Sequence, residues 1–166
     1  MQIPYRKPGK FSLIKQDPIL TPDKLTELKN KLHKLKEYSR PAAAAEVSRL
    51  AELGDFSENA EYQLAKGRLR GINNSILKLE HQINQAVVVE PSADTDTVQI
   101  GHTVTIESGE KQKTYQILGS SETDPQRGII SHLSPIGSAL LGHHVDDTIK
   151  IALAEKEAVY RILKIE

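Results

Sequence analysis

Two carboxylates, Asp55 and Glu58, stand three residues apart in the stretch Gly54-Asp55-Phe56-Ser57-Glu58-Asn59-Ala60-Glu61-Tyr62. Mg²⁺ takes hard oxygen donors and is held by one or two carboxylates, several waters and a substrate phosphate. A carboxylate pair on the turn of a helical hairpin could carry such an ion into a site on another molecule. Two carboxylates alone bind it weakly, so a partner would have to complete the site. The same spacing is also that of a capping box, with Asp55 as N-cap and Glu58 at N3 of the next helix. Spacing leaves both readings open. Close behind lie Lys66, Arg68 and Arg70, with Arg49 upstream. These cations suit the phosphate backbone of RNA, and equally suit solvated helix faces. Phe56 is an apolar residue at the turn, either a staple residue or a contact with a partner.

Other chemistries lack a signature. There is no GxGxxG and no Walker-type Gly-Lys-Ser/Thr loop. His33, His81, His102, His132, His143 and His144 are scattered, and the pair His143-His144 lacks the i, i+4 spacing of a helical metal site. With no Cys there are no disulfides, thiolate ligands or thiol nucleophiles, which suits a reducing compartment. Aromatics make up only 4% of the chain, so a large aromatic-lined pocket is not expected. No apolar run approaches the ~20 residues of a membrane span. The basic start, MQIPYRKPGKFSLIKQ, has no apolar core or cleavage site, so a soluble cytoplasmic protein is expected.

Three segments must position these residues. Residues 1–20, with Pro4, Pro8, Gly9 and Pro18, read as an irregular basic arm. Residues 21–86 read as an antiparallel helical hairpin. Thr21 is the expected N-cap and Pro22 sits at N1. The first helix is expected over 22–52, with a seam at Leu25, Leu28, Leu32 and Leu35 that resumes out of register at Ala43, Val47 and Leu50, like a stutter. Pro41 should kink or break it. Gly54 is placed at C′. The second helix is expected over 56–86, where Tyr62, Ala65, Leu69, Ile72, Ile76, Leu79, Ile83 and Ala86 keep three-four spacing throughout. Gly67 and Gly71 should soften its distal third.

From Val87 the pattern turns to strand: 87–89, 97–106, 113–118, 129–133, 147–153 and 157–165, with a short helix opened by Ser134 and Pro135 and ending at Gly142. Residues 87–166 thus read as a small antiparallel sheet with one helix on a face, and the whole chain as α+β. Charge divides along the same line. Residues 1–85 carry 15 Lys and Arg against 10 Asp and Glu, a net +5, and residues 86–166 carry 7 against 12, a net −5. A basic half that faces nucleic acid and an acidic half that faces protein is one reading of this, ordinary solvated faces the other.

The stretch GDFSENAEYQLAK resembles the GD-x-x-ENAEY signature of the bacterial Gre transcript cleavage factors, GreA and GreB. The segment ISHLSPIGSALLGHHVDDTI is similar to that family's C-terminal signature. The resemblance covers residues 21–166. It implies an antiparallel coiled-coil arm followed by an FKBP-like β domain, without isomerase activity. It implies binding to RNA polymerase through the secondary channel, as a monomer when bound, and DNA binding. The factor is then no enzyme itself but stimulates cleavage of nascent RNA in backtracked complexes. By the same resemblance Asp55 and Glu58 are the acidic tip pair, sharing a Mg²⁺ with the polymerase and binding none stably alone. Phe56, Ser57, Asn59, Glu61 and Tyr62 then support the tip. Lys66, Arg68 and Arg70 match a K-x-R-L-R pattern that meets the RNA 3′ end, with Arg49 beside it. Ser134, Pro135 and Ile136 fall where the β domain would dock on the polymerase. Gly67 and Gly71 replace residues that in the family are better helix formers, and the arm before Thr21 is extra. A channel-binding regulator without cleavage activity is the alternative, and a coiled-coil adaptor with a capping box a third; the intact carboxylate pair favours cleavage.

Overall fold

The first helix is built around a proline it has to accommodate. The computed structural model describes residues 17–52, 60–109, 111–153 and 156–166. Helix α1 (Pro22–Lys34) is opened by Thr21, whose Oγ1 accepts the Lys24 N–H at 3.2 Å. Pro22 at N1 forfeits an N–H that would have no intrahelical partner anyway. Asp23 faces the positive end of the dipole. The chain then widens into a π turn over Leu35–Ser39, in which the Arg40 N–H reaches back five residues to the Leu35 carbonyl. Helix α2 (Arg40–Glu52) follows at once.

Pro41 explains the wide turn. It has no N–H to give, and its ring would crowd the carbonyl four residues back, at Glu37. One wider turn relieves that crowding without a break in the helix. The seam confirms the count. Leu28, Leu32, Leu35, Ser39, Ala43, Val47 and Leu50 are spaced by four, three, four, four, four and three. The expected stutter is therefore a single extra residue, taken up in the π turn.

Helix α3 (Ala60–Asn84) buries Ala65, Ile76 and Leu79. It runs antiparallel to α1 and α2: Glu80 pairs with Lys36, and Arg68 Nη1 meets Glu46 Oε2 at 2.7 Å. Leu20, Leu28 and Leu79 form the buried heart of this unit, with Leu25, Leu32, Leu35, Ile83 and Ala86 against them. Each such side chain contributes ~1.5–3 kcal/mol by leaving water. The Gly54 C′ and the Asp55 capping box fall in 53–59, outside the described residues.

Two short strands close the helical unit. Strand β1 (Ile19–Leu20) runs parallel to β2 (Val87–Val88), with Ile19 opposite Val87. Ile19 and Leu20, at the end of the expected arm, thus form strand, and 87–88 pairs there and not in the main sheet. That sheet comprises β3 (Thr103–Ser108), β4 (Lys111–Leu118), β5 (Ile129–Ser131), β6 (Thr148–Leu153) and β7 (Lys156–Ile165), in the order β5-β4-β3-β7-β6. It is mixed, which corrects the antiparallel expectation: β5 runs parallel to β4, Gln116 opposite Ile129, because two 3₁₀ turns carry the chain back to the start of the edge. Alternation fits the pleat. Val104 and Ile106 are buried while Thr105 and Glu107 lie on the other face. Helix α4 (Pro135–Leu140) buries Leu140 against a core of Val98, Val104, Ile106, Ile117, Ile149, Ile151, Ile162 and Ile165.

Residues 97–102, expected as strand, instead form a loop held by the fully buried His102. Its Nδ1 accepts the Gln99 N–H at 3.3 Å and its Nε2 lies 3.1 Å from the Ser92 carbonyl, which assigns the proton to Nε2. None of the described helices is long and apolar enough to cross a membrane.

Candidate functional site

Asp55, Phe56, Ser57, Glu58 and Asn59 lie outside the described residues; what surrounds them in the chain is described on both sides. Glu61 and Tyr62 stand in the first turn of α3, Glu61 exposed and Tyr62 half-buried. Lys66, one turn on, places its Nζ 5.1 Å from the centre of the Tyr62 ring. A cation over an aromatic face at an exposed site contributes ~0.5–1 kcal/mol. The contact braces the start of α3 and fixes where that charge sits.

The four cations do not form one face. Arg68 turns toward α2 and its ion pair with Glu46. Arg49, Glu46, Leu50, Glu61, Leu64 and Arg68 line a groove of about 300 Å³ between the two helices. Lys66 and Arg70, four residues apart, share a different exposed face. A strand of phosphates could meet Lys66 and Arg70 together, or Arg49 and Arg68 together. Leu64, 70% exposed, stands beside the groove and was not singled out by its sequence, since it lies off the seam. No group of three or more His, Cys, Asp or Glu among the described residues is arranged to hold a metal ion.

In the β domain, Ser134 caps α4: its Oγ accepts the Gly137 N–H at 3.0 Å. Pro135 is exposed, and Ile136 packs half-buried against the core. Gly137 is required by close approach, because a Cβ there would run into the Ser131 carbonyl oxygen. Leu133, 67% exposed, precedes the cap and adds an apolar side chain to this surface. On the turn beyond, Asp147 Oδ2 accepts the His144 N–H at 2.8 Å and meets His143 Nδ1 at 3.2 Å. The amide first, then the imidazole, hold the Asp147 carboxyl below its ordinary range.

The sequence reading missed the residues that join arm to sheet. Asp17 Oδ2 accepts the Ser120 N–H at 2.7 Å and lies 3.3 Å from His132 Nδ1, while Oδ1 accepts the Ile19 N–H at 3.1 Å. Burial alone would raise the Asp17 pKa, but the Ser120 and Ile19 amides and the nearby imidazole outweigh it and lower it. Glu122 takes the Thr21 N–H at 2.7 Å and the Thr21 hydroxyl at 2.6 Å. No spacing rule could have found pairs about a hundred residues apart.

The chain is similar to known proteins over both halves. Residues 18–88 match a family described as "Transcription elongation factor, N-terminal", and residues 93–166 one described as "Transcription elongation factor, GreA/GreB, C-term". It is 40% identical over 142 residues to transcription elongation factor GreA of Staphylococcus carnosus, covering 84% of this chain and 88% of that one. It is 40% identical over 146 residues to GreA of Rhodospirillum rubrum, covering 86% and 93%. Among solved structures, GreA factor homolog 1 (Gfh1) of Thermus thermophilus is similar at 24% identity and a TM-score of 0.42, covering 91% of this chain and 99% of that one.

Proposed function

This chain belongs to the GreA/GreB family of transcription elongation factors, and from that premise we propose that it binds RNA polymerase through the secondary channel and stimulates cleavage of nascent RNA in backtracked complexes. The paired helices serve as a coiled-coil arm. The observation that supports this best is their antiparallel pairing through Lys36–Glu80 and Glu46–Arg68. With that polarity, α2 finishes at Glu52 and α3 begins at Ala60, and the residues between them carry Asp55 and Glu58 in sequence. At ~1.5 Å per residue, the 25 residues of α3 give the arm a reach of roughly 37 Å.

The chemistry belongs to the polymerase. The carboxylates of Asp55 and Glu58 are the hard oxygen donors that Mg²⁺ takes, and they are too few to hold it without the partner's own ligands. Such an ion, when bound, neutralises developing charge on the phosphate and lowers the pKa of an attacking water. The cations behind the pair, Lys66 and Arg70 on one face and Arg49 and Arg68 on another, draw the RNA 3′ end toward it. The surface around Leu133, Ser134, Pro135 and Ile136 docks on the polymerase. The place of action is the cytoplasm.

The test is a transcript-cleavage assay on backtracked complexes with the parent, Asp55→Ala and Glu58→Ala. Stimulation by the parent and its loss in both variants, with polymerase binding unchanged, is the expected result. Two variants that cleave like the parent would end the metal-delivery reading. A parent that binds but never stimulates cleavage would make this a channel-occupying regulator instead.

A further inference from the structure

The helical unit and the sheet each have their own apolar core, and among the described residues these two clusters share no member. Among the described residues, a small polar junction ties the two together beside the connecting segment. On the arm side it consists of Asp17, Ile19 and Thr21, and on the sheet side of Gly119, Ser120, Glu122 and His132. Gly119 is buried, and a Cβ there would run into the Ile19 carbonyl oxygen, so the two backbones meet only because the side chain is absent. Asp17, with a side chain only 5% exposed, bridges Ser120 and His132. Glu122 lies at the N-terminus of α1, where a carboxylate is favoured by the dipole. The Thr21 hydroxyl donates to Glu122 and accepts from Lys24, so the same oxygen caps the helix and ties it to the sheet.

We propose that Asp17 and Glu122 are positioning residues that fix the bearing of the helical arm on the β domain, with Gly119 as the contact that lets the two backbones seat. Two charge-assisted contacts, one just before β1 in the chain and one just after it, resist rotation in a way a single pivot would not. Leverage makes the bearing matter. Gln63 lies 21 residues up α3 from its last residue, Asn84, so ~30 Å from the junction, and a tilt of about 10° there moves Gln63 by about 5 Å. Any consequence for cleavage rests on the function proposed above; the geometry of the junction does not.

The chain has no cysteine, so labels can be placed cleanly. Spin labels at Gln63→Cys and Lys113→Cys, both exposed, report the arm against the sheet in the free protein. The parent should give one narrow distance distribution. Glu122→Ala, Asp17→Ala and Gly119→Ala should each shift or broaden it by several ångströms, with unchanged helical circular dichroism. If any of these fails to fold, Thr21→Val removes the hydroxyl from the arm side and is read the same way. Distributions that superimpose on the parent's would overturn the proposal. With polymerase saturated, the displaced variants should cleave more slowly while binding with parental affinity; full cleavage from a displaced arm would count against the functional reading and leave the positioning role standing. A parent inactive in cleavage would count against the functional reading alone, since the distances are measured without polymerase.

Discussion

Gly67 and Gly71 offer the cleanest quantitative test of how the arm is held. Both lie in the interior of α3 on exposed positions, and neither has the left-handed backbone that would exclude a side chain. A Cβ built at either meets nothing within 4 Å. Each glycine therefore carries its entropic cost with no packing or conformational return, and replacement by Ala should stabilise by ~1 kcal/mol per site. The two positions are one turn apart, but alanine side chains barely interact, so the double variant should gain about 2 kcal/mol. Ser75, which donates to the Gly71 carbonyl at 2.9 Å, keeps that bond because the backbone is unchanged. For a chain of this size ~1 kcal/mol moves Tm by about 2–4 °C, so the double variant should melt roughly 4–8 °C higher by circular dichroism. Urea titration should show the midpoint rise with the slope unchanged. A double variant no more stable than the parent would refute the reasoning, since it would mean that these positions are met by something the open faces do not reveal.

Two further outcomes follow from the packing and the junction. Leu79→Ala, at the centre of the arm's buried cluster with Leu20 and Leu28, should cost ~2–5 kcal/mol in chemical unfolding, and Leu77→Ala on the exposed face of the same helix far less. Asp17 has a lowered folded pKa, so its stabilising contribution is complete above the ordinary carboxylate value and is lost as pH falls through the folded value. Stability measured against pH for the parent and Asp17→Asn should thus differ most near neutrality and converge in acid below about pH 4; curves that stay parallel would contradict the assigned bonds.

The arm was legible because its pattern is local. Three-four spacing of Ile72, Ile76, Leu79 and Ile83 specifies a helix and its buried face, and Thr21-Pro22 and Ser134-Pro135 mark two helix starts that the structure reproduces with side-chain caps. The parallel pairing of β4 with β5 was not legible, since alternation fixes which face a side chain takes but not which neighbour its backbone meets. His102 fell inside an expected strand, and its burial in a loop depends on Ser92 and Gln99 closing around it. Of the site, the grouping of the four cations was not legible, because Arg68 is turned aside by Glu46, a partner on another helix.

The wide turn ahead of Pro41 has a consequence for how the arm tolerates insertions and deletions. Loss of one residue from α3 would swing every later seam position by about 100° and turn buried leucines outward. Loss of one residue from Leu35–Ser39 would bring the α1–α2 seam into unbroken heptads, provided Pro41 is changed to Ala in the same chain. With the proline kept, that shortened helix would press its ring against a carbonyl again. Among the described residues of the rod, this is the one stretch where a missing codon and a single substitution together leave the leucines in step.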